Sequence, residues 1–439
     1  MTVSIVLCLA SFGVLIWMLR RDGISLGLPI AYLFGLLLIH VPGAIAHVVG
    51  GDVLSDSDLT ARGIQFAAIG SISFVAGVWI ATSFAGGELQ PAAASRHQFW
   101  LFCLIAGWCV TYGLSYLGRV PSLGAAIEKG GAAWMLGILL GLRAAMWQGD
   151  ARRAAIWTGA LVVYPVLMLL LGGFLSYGSA AVIIVLSALV ISTRSNWRVS
   201  LGVVAAAVLG VNLFISYFQH RDEIRGAVWG GAPVEVRVDT AMNMFRNFEW
   251  FNPANERHLV SLDQRLNQNY FAGLAASRIA EGHVEYLYGR SVWEGLLSLV
   301  PRALWPDKPV FGGSPAIVSE MTGLTLSETT SFGVGNVMEF QINFGVPGLV
   351  VGFLVLGGAI GFLDRRAAIA EATGDLGRVF LYFLPAVALI QPNGSLVELT
   401  GGAAAALVAA FAWKWGWERL ADSHAEPAII RGRYARRRL

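Results

Sequence analysis

The sequence has little charge, and this shortage excludes several classes of protein. Charged residues make up 13% of the 439 residues and hydrophobic residues 56%, whereas soluble globular domains carry about 25% charged residues. A chain of ordinary soluble domains and a disordered chain are therefore both excluded. The net charge of +3, with no strong basic patch, predicts that nucleic acid is not a partner.

Motifs for nucleotides and metals are missing as well. None of the three lysines follows a glycine, so the chain has no Gly-Lys-Ser/Thr phosphate loop. The three cysteines lie in apolar runs and form neither a disulfide framework nor a metal site. His40 and His47 are two turns apart on one helix face, and we favour hydrogen bonding inside a bundle over a place at a cavity. We therefore expect no cofactor and no metal.

Long apolar runs predict an all-α polytopic membrane protein, because a membrane span needs about 20 apolar residues. We predict about eleven spans, at 3–19, 27–49, 62–84, 99–118, 131–148, 154–172, 176–193, 199–218, 342–363, 378–394 and 399–417. A long polar segment interrupts them. The predicted domains are a transmembrane bundle over 1–218, a large helical loop over 219–340, C-terminal transmembrane helices over 341–418 and a basic tail over 419–439.

Arginines in the short loops predict the orientation. Arg20 and Arg21 follow the first span, Arg365 and Arg366 follow the ninth, and the arginine-rich tail ends the chain. Positive loops face the cytoplasm, so we expect a periplasmic N-terminus, a cytoplasmic C-terminus and an extracytoplasmic 219–340 loop. The first span has its charges after the apolar run rather than before it, which favours a retained helix over a signal peptide. The expected location is a bacterial inner membrane.

Polar chemistry is concentrated in the 219–340 segment. It holds 14 of the 28 acidic residues and 10 of the 31 basic ones. Apolar spacing predicts amphipathic helices over 236–250 and 259–280, lying on the membrane surface or over a cavity mouth. In the second of these, Arg265 and Asn269 are four residues apart and should share a face, with Arg278 further along the same helix.

At the exit of the eighth span, Arg221 and Arg225 stand one turn apart if the helix continues. Two guanidinium groups this close can grip a pyrophosphate. Alternatively, the pair snorkels to the interface or forms ion pairs with Asp222 and Glu223.

The 299–309 stretch carries three prolines in nine residues, which excludes a regular helix. Arg302 and Lys308 are expected on this stiff segment, where they can bind a lipid phosphate. Ser331 opens a helix start that leads to Glu339, and a helix N-terminus suits an anionic headgroup. Glu339 is either a favourable first-turn carboxylate or a general base that also contacts sugar hydroxyls, with Asn343 one turn further on the same face.

Five short strings within this region carry a resemblance to a known family. They read RLNQ at 265–268, YGR at 288–290, PRALWPDKP at 301–309, TS at 330–331 and EFQINFG at 339–345. The chain resembles the bacterial Wzy-type O-antigen and exopolysaccharide polymerases over about 220–350, and elsewhere only in its hydropathy profile.

The resemblance implies a GT-C-like membrane fold and a metal-independent glycosyltransferase. Such an enzyme transfers a growing glycan from undecaprenyl pyrophosphate onto the next lipid-linked repeat unit, in membrane lipid and alongside a chain-length regulator protein. The family's pyrophosphate-binding role passes to Arg221, Arg225, Arg265 and Arg302. We assign catalysis to Glu339, Arg265 and Arg302, and substrate binding to Arg221, Arg225, Arg278, Lys308, Asn343 and Ser331.

Two other functions use the same substrates. An O-antigen ligase would transfer the glycan to a different acceptor, and a flippase or exporter would move the lipid-linked oligosaccharide. A flippase should carry charges inside its spans, and the centres of the first eight spans are almost uncharged. Asp222, Glu223 and Glu281 remain alternatives to Glu339 as the base.

Overall fold

The computed structural model describes residues 1–50, 54, 56–84, 96–114, 116–117, 120, 122–173, 176–192, 197–302, 304–311, 313–325 and 333–424. These residues form helices joined by turns and loops, and none of them lies in a strand. A π-helical turn at Cys109–Gly113 extends α4. The helices are α1 Thr2–Asp22, α2 Leu28–Gly50, α3 Ser57–Phe84, α4 Arg96–Trp108, α5 Leu123–Gly131, α6 Ala133–Trp147, α7 Ala151–Gly172, α8 Ser176–Ser192, α9 Trp197–Trp229, α10 Val234–Arg246, α11 Glu256–Leu266, α12 Asn269–Ala280, α13 Arg290–Ser298, α14 Gly313–Thr322, α15 Asn336–Thr373, α16 Leu376–Leu389 and α17 Leu396–His424.

The helices agree with a membrane protein, but the span count of eleven stays a prediction. Each predicted apolar run overlaps a helix or a pair of consecutive helices, although the last five residues of the 378–394 run lie in the non-helical loop after α16. Within the described residues, seven helical segments are long and apolar enough to cross a membrane. These are α1, α2, α3, α5 with α6, α7, α15 and α17. The apolar parts of α8 and α16 are shorter.

Charged side chains join the spans at one end of the bundle. The buried Asp364 carboxylate accepts hydrogen bonds from Ser25 Oγ at 2.6 Å and from the backbone N–H groups of Leu26 and Leu28, at 3.0 and 3.1 Å. It thereby caps α2. Arg365 pairs with Asp22 beside it. The loop after α1 and the last third of α15, which the sequence places on one side of the membrane, therefore meet at this end.

Arg143 and Glu371 form a buried ion pair at the same end, 2.6 Å apart, with only 9% and 8% of their side chains exposed. We expect Glu371→Gln to destabilise the protein by about 3–5 kcal/mol, because Arg143 loses its countercharge in a buried site. Thermal unfolding in detergent measures this. The double variant Arg143→Met, Glu371→Leu should regain most of the loss, and an equally unstable double variant would contradict the explanation.

The predicted helix over 259–280 is two helices, so that prediction was wrong. α11 ends at Leu266 and α12 begins at Asn269, and the pair forms a hairpin against α2 and α3. The backbone N–H of Gln268 at the hairpin tip donates to Ile39 O at 2.9 Å. Ile39 lies eleven residues from either end of α2, about 17 Å along its axis. The hairpin therefore reaches the middle of a span rather than lying on the surface.

Two glycines make this close approach possible. A Cβ on Gly43 of α2 would lie 2.3 Å from Asn267 Cβ, and a Cβ on Gly63 of α3 would lie 2.1 Å from the backbone oxygen of Asn269. Real side chains do not approach this closely. The hairpin tip is thus fitted to two spans at positions where only glycine leaves room.

The hairpin tip meets two other non-helical segments, and together they form the three-loop junction (267–268, 333–335 and 390–395). Gln268 Nε2 donates to Gly333 O at 3.4 Å. The backbone N–H groups of Gly335 and Asn336 donate to Asn393 O and Pro392 O, at 3.1 and 3.0 Å. Irregular backbone at such depth is tolerated where protein or a water-filled cavity surrounds it.

α15 is broken near its start. Phe344 and Gly345 have non-helical backbone angles, and Gly345 has a φ of 65° that favours glycine. The first part folds back on the second, so that the rings of Phe340 and Phe353 pack edge to face at 5.1 Å. Segment 336–343 therefore connects the three-loop junction with the bend at 344–345.

Candidate functional site

Three of the predicted arginines lie close enough for their charges to interact, and we call Arg221, Arg225 and Arg265 the arginine cluster. α9 runs without a break to Trp229, so Arg221 and Arg225 do stand one turn apart as predicted. The guanidinium carbons of Arg221 and Arg265 lie 5.1 and 4.7 Å from the centroid of the Phe218 ring. Arg225 stacks over Trp229 at 5.2 Å. Two helices distant in sequence thus bring their cations together.

Arg265 is partly buried beside two other cations. Burial, and then the like charges of Arg221 and Arg225, lower the pKa of the Arg265 guanidinium. In the described part of the chain no carboxylate forms an ion pair with it, and its Nε has no hydrogen-bond acceptor. Arg221 does pair with Asp222, at 3.1 Å, but that carboxylate is 89% exposed. A partly buried arginine without an ion-paired carboxylate, next to further cations, suits an anionic ligand.

Packing fixes the end of α9 that carries the cluster. The Tyr217 hydroxyl donates to Gly173 O at 2.7 Å, and Trp229 Nε1 donates to Gly172 O at 3.3 Å, so both contact the C-terminal end of α7. A buried cluster shared by α7, α9 and α10 supports the same turns. It consists of Leu169, Tyr217, Ile224, Val228, Ala241 and Met244.

The 247–255 loop ties α11 to α9. The backbone N–H groups of Glu249 and Phe251 donate to Ser216 Oγ and Asn212 Oδ1 of α9, at 3.3 and 2.6 Å. The buried His258 accepts from the Asn252 N–H through Nδ1 and faces Glu249 through Nε2 at 3.0 Å. This hydrogen bond lowers the pKa of Glu249. Sequence reasoning missed this contact, which orients α11 and therefore Arg265.

A buried polar network holds the α11–α12 hairpin. Asp263 Oδ1 lies 2.7 Å from His47 Nε2 and accepts from Asn267 Nδ2 at 2.6 Å. Asn269 Oδ1 lies 2.7 Å from His40 Nδ1. The two histidines therefore serve hydrogen bonding within the bundle, the role favoured from the sequence, but their partners were not foreseen.

Arg302 and Lys308 show no contact with the arginine cluster among the described residues. Both instead donate hydrogen bonds to backbone oxygens of their own loop. Arg302 donates to the backbone oxygens of Lys308 and Pro309, at 2.9 and 3.3 Å, and Lys308 Nζ donates to Val300 O at 2.9 Å. Burial, and then the charge of Arg302, lower the pKa of Lys308. The described residues of the 299–309 stretch are non-helical, as its prolines predicted.

Arg278 is on α12, not on the helix of Arg265, and Asn269 does not share a helix face with Arg265. The Arg278 guanidinium lies against Gly323 at the end of α14, where a Cβ would be 2.8 Å from its Nη1. No contact between Arg278 and the arginine cluster appears in the described residues. Ser331 lies outside those residues, so its predicted role in substrate binding stays a prediction.

Glu339 is completely buried and serves the N-terminus of α17. Its Oε2 accepts a hydrogen bond from the Leu396 N–H at 2.7 Å, while its Oε1 has no hydrogen-bond donor in the described part of the chain. Asn343 follows one turn later and donates to Glu339 O at 2.7 Å. In this conformation no acceptor hydroxyl reaches the buried carboxylate, so catalysis by Glu339 requires a rearrangement that exposes it. The alternatives Asp222, Glu223 and Glu281 are all exposed.

Metal ligands do not cluster in the described residues, where no group of three or more His, Cys, Asp or Glu side chains is suited to an ion. Two cavities of about 250 and 200 Å³ lie at the other end of the bundle, near Trp100, Trp157 and the Arg143–Glu371 pair. Their walls are mainly apolar, and the cation that lines the smaller one is paired. We therefore place the candidate site at the arginine cluster.

The chain was compared with protein-family models, curated proteins and solved structures. None of the three comparisons finds a match.

Proposed function

We propose that the protein is a polysaccharide polymerase that joins undecaprenyl-pyrophosphate-linked repeat units at the outer face of a bacterial inner membrane. The observation that carries the proposal is the arginine cluster, in which Arg265 has no acidic partner among the described residues. Such a group beside apolar helices suits a ligand that joins a diphosphate to a hydrophobic tail. The resemblance of the 220–350 segment to Wzy-type polymerases agrees with this ligand.

The reaction needs stabilisation of the leaving group more than anything else. The anomeric carbon–oxygen bond of the donor breaks, and its electron pair stays on the departing pyrophosphate. The acceptor hydroxyl oxygen forms the new bond to the anomeric carbon, and its proton passes to a base. The cluster's guanidinium groups stabilise the growing negative charge in a partly dry site. Glu339 is the proposed base in a shifted conformation, and Asp222 beside Arg221 is the accessible alternative.

The paired charges inside the bundle favour an enzyme over a flippase. Asp364 caps α2, Arg365 pairs with Asp22, and Arg143 pairs with Glu371. All of them lie at one end of the bundle and serve its structure. A transport path for a charged glycolipid should instead display charges along the spans. An O-antigen ligase uses the same donor chemistry, and only the acceptor separates it from a polymerase.

Reconstitution tests the proposal. Purified protein in liposomes receives undecaprenyl-pyrophosphate-linked repeat units as the only substrate, with EDTA and without nucleotide. We expect a ladder of longer glycans on a gel. Liposomes that contain lipid A core as a second acceptor form the parallel arm.

Each outcome separates the candidate functions. A ladder without lipid A core supports the polymerase. Glycan transferred only to lipid A core identifies a ligase. Repeat units that cross the bilayer without elongation identify a flippase, and either of the last two results overturns the proposal.

A further inference from the structure

Tyr288 has a strained backbone that its neighbours hold in place. Its φ is 45°, in the left-handed region that bulky residues rarely adopt. On one side the Leu287 N–H donates to Ile342 O at 2.8 Å, and on the other the Gly289 N–H donates to Asn343 Oδ1 at 3.0 Å. Both acceptors belong to the first part of α15, the part that contains Glu339. Such strain persists only where the surrounding structure enforces it, and it is concentrated at binding and active sites.

The strain directs an aromatic ring outwards. Tyr288 is 70% exposed, and its ring lies edge to face with that of Tyr286, with the centroids 6.2 Å apart. The Tyr286 hydroxyl lies at the α15 bend, next to Gly345, and Phe344 at the same bend contacts Gly289. We call Tyr286, Tyr288 and Phe344 the aromatic platform.

A membrane anchor does not account for this arrangement. Aromatic rings at a membrane interface work from any backbone conformation, and exposed rings such as Trp293 sit on ordinary helices in this protein. Because its side chain is mostly exposed, Tyr288 gains little packing energy that would offset the strained backbone. The ring is instead held at a fixed place beside the segment that runs from the α15 bend through Asn343 to Glu339.

We propose that the aromatic platform binds a sugar ring of the glycan substrate by stacking, with the tyrosine hydroxyls at its polar edge. A pyranose has an apolar face of C–H groups and a rim of hydroxyls, which matches an amphipathic tyrosine surface. The inference rests on the proposed function, since it assigns the glycan part of the same substrate whose pyrophosphate goes to the arginine cluster.

Substitutions at Tyr288 separate binding from folding. Tyr288→Gly removes the ring and also releases the strain, because glycine adopts positive φ readily. Tyr288→Trp keeps a stacking surface and serves as the matched control. The probe is the oligosaccharide released by mild acid from the cell's own lipid-linked repeat units, titrated calorimetrically into the full-length protein. We expect about 5- to 10-fold weaker binding for Tyr288→Gly, with an unchanged or higher Tm, and near-native binding for Tyr288→Trp.

The outcomes also distinguish this inference from the proposed function. The released oligosaccharide has no pyrophosphate, so its binding tests the aromatic platform without the arginine cluster. Native binding by Tyr288→Gly overturns the platform even if wild-type protein makes a ladder. A lower Tm for that variant also overturns it, because the ring would then be structural. A failed ladder with intact, Tyr288-dependent binding rejects the polymerase and leaves the platform standing.

Discussion

Replacing Arg265 with alanine is expected to lower the rate of glycan elongation about 10²–10³-fold, the usual cost of removing one preorganised donor to a developing negative charge. Arg265 forms no ion pair among the described residues, whereas Arg221 pairs with Asp222. The charge of Arg265 is therefore more available to a pyrophosphate than that of Arg221. Single lipid-linked repeat units should accumulate while long chains disappear from the gel.

Two variants separate the position of the charge from the shape of the guanidinium group. Arg257 is on the same helix, two turns earlier, and is exposed, so Arg257→Ala removes an equal charge from α11 without touching the cluster. We expect it to elongate normally. Arg265→Lys keeps the charge but loses the planar fork, and intermediate activity is expected. Equal losses in Arg257→Ala and Arg265→Ala would show that general electrostatics, rather than a phosphate site, controls the rate.

The sequence predicted those structural features that depend only on residues close together in the chain. The apolar runs located the helices of the bundle, since burial in lipid or protein demands them. Helical spacing brought Arg221 and Arg225 onto one face because α9 continues past the apolar run. The prolines of 299–309 excluded a helix there for purely local reasons.

The structure differs from the sequence-based predictions where contacts between residues far apart in the chain decide the conformation. Leucines recur at helical spacing across 259–274, yet the helix is interrupted at Asn267 and Gln268. Asn267 donates a hydrogen bond to Asp263, and the Gln268 N–H donates to the Ile39 carbonyl of α2. Glu339 and Asn343 are one helical turn apart, so their position on one face could be predicted from the sequence. The burial of Glu339 against α17 could not, because it depends on Leu396, more than fifty residues further along the chain. No periodicity in the sequence records either contact.

The same contacts couple the candidate site to the bundle. Arg265 lies on α11 two residues before the hairpin tip, and α11 is held by His47 through Asp263 and by α9 through the 247–255 loop. The tip itself is part of the three-loop junction, where Gln268 contacts Gly333, and from there α15 leads to Glu339 and the aromatic platform. A small displacement of the hairpin therefore moves the cation that we assign to the pyrophosphate.

Gly63→Ala tests this coupling with a single methyl group. The new Cβ would lie 2.1 Å from the backbone oxygen of Asn269, and because backbone cannot rotate away, the hairpin must shift. A misplacement of about 1 Å can cost about 10²-fold in rate, so we expect elongation to fall by that order. The Tm should fall too, since overpacking costs about 1–3 kcal/mol, more than the gain of about 1 kcal/mol from alanine's helix propensity.

The matched control is Gly159→Ala in α7, where nothing lies within 4 Å of the added Cβ. Only helix propensity changes there, so its Tm should stay level or rise, with normal elongation. A drop in Gly63→Ala alone assigns the effect to the hairpin contact. Normal elongation and Tm in Gly63→Ala would mean that the hairpin tip does not dock against α3 at this distance, and the position of Arg265 would then need another support.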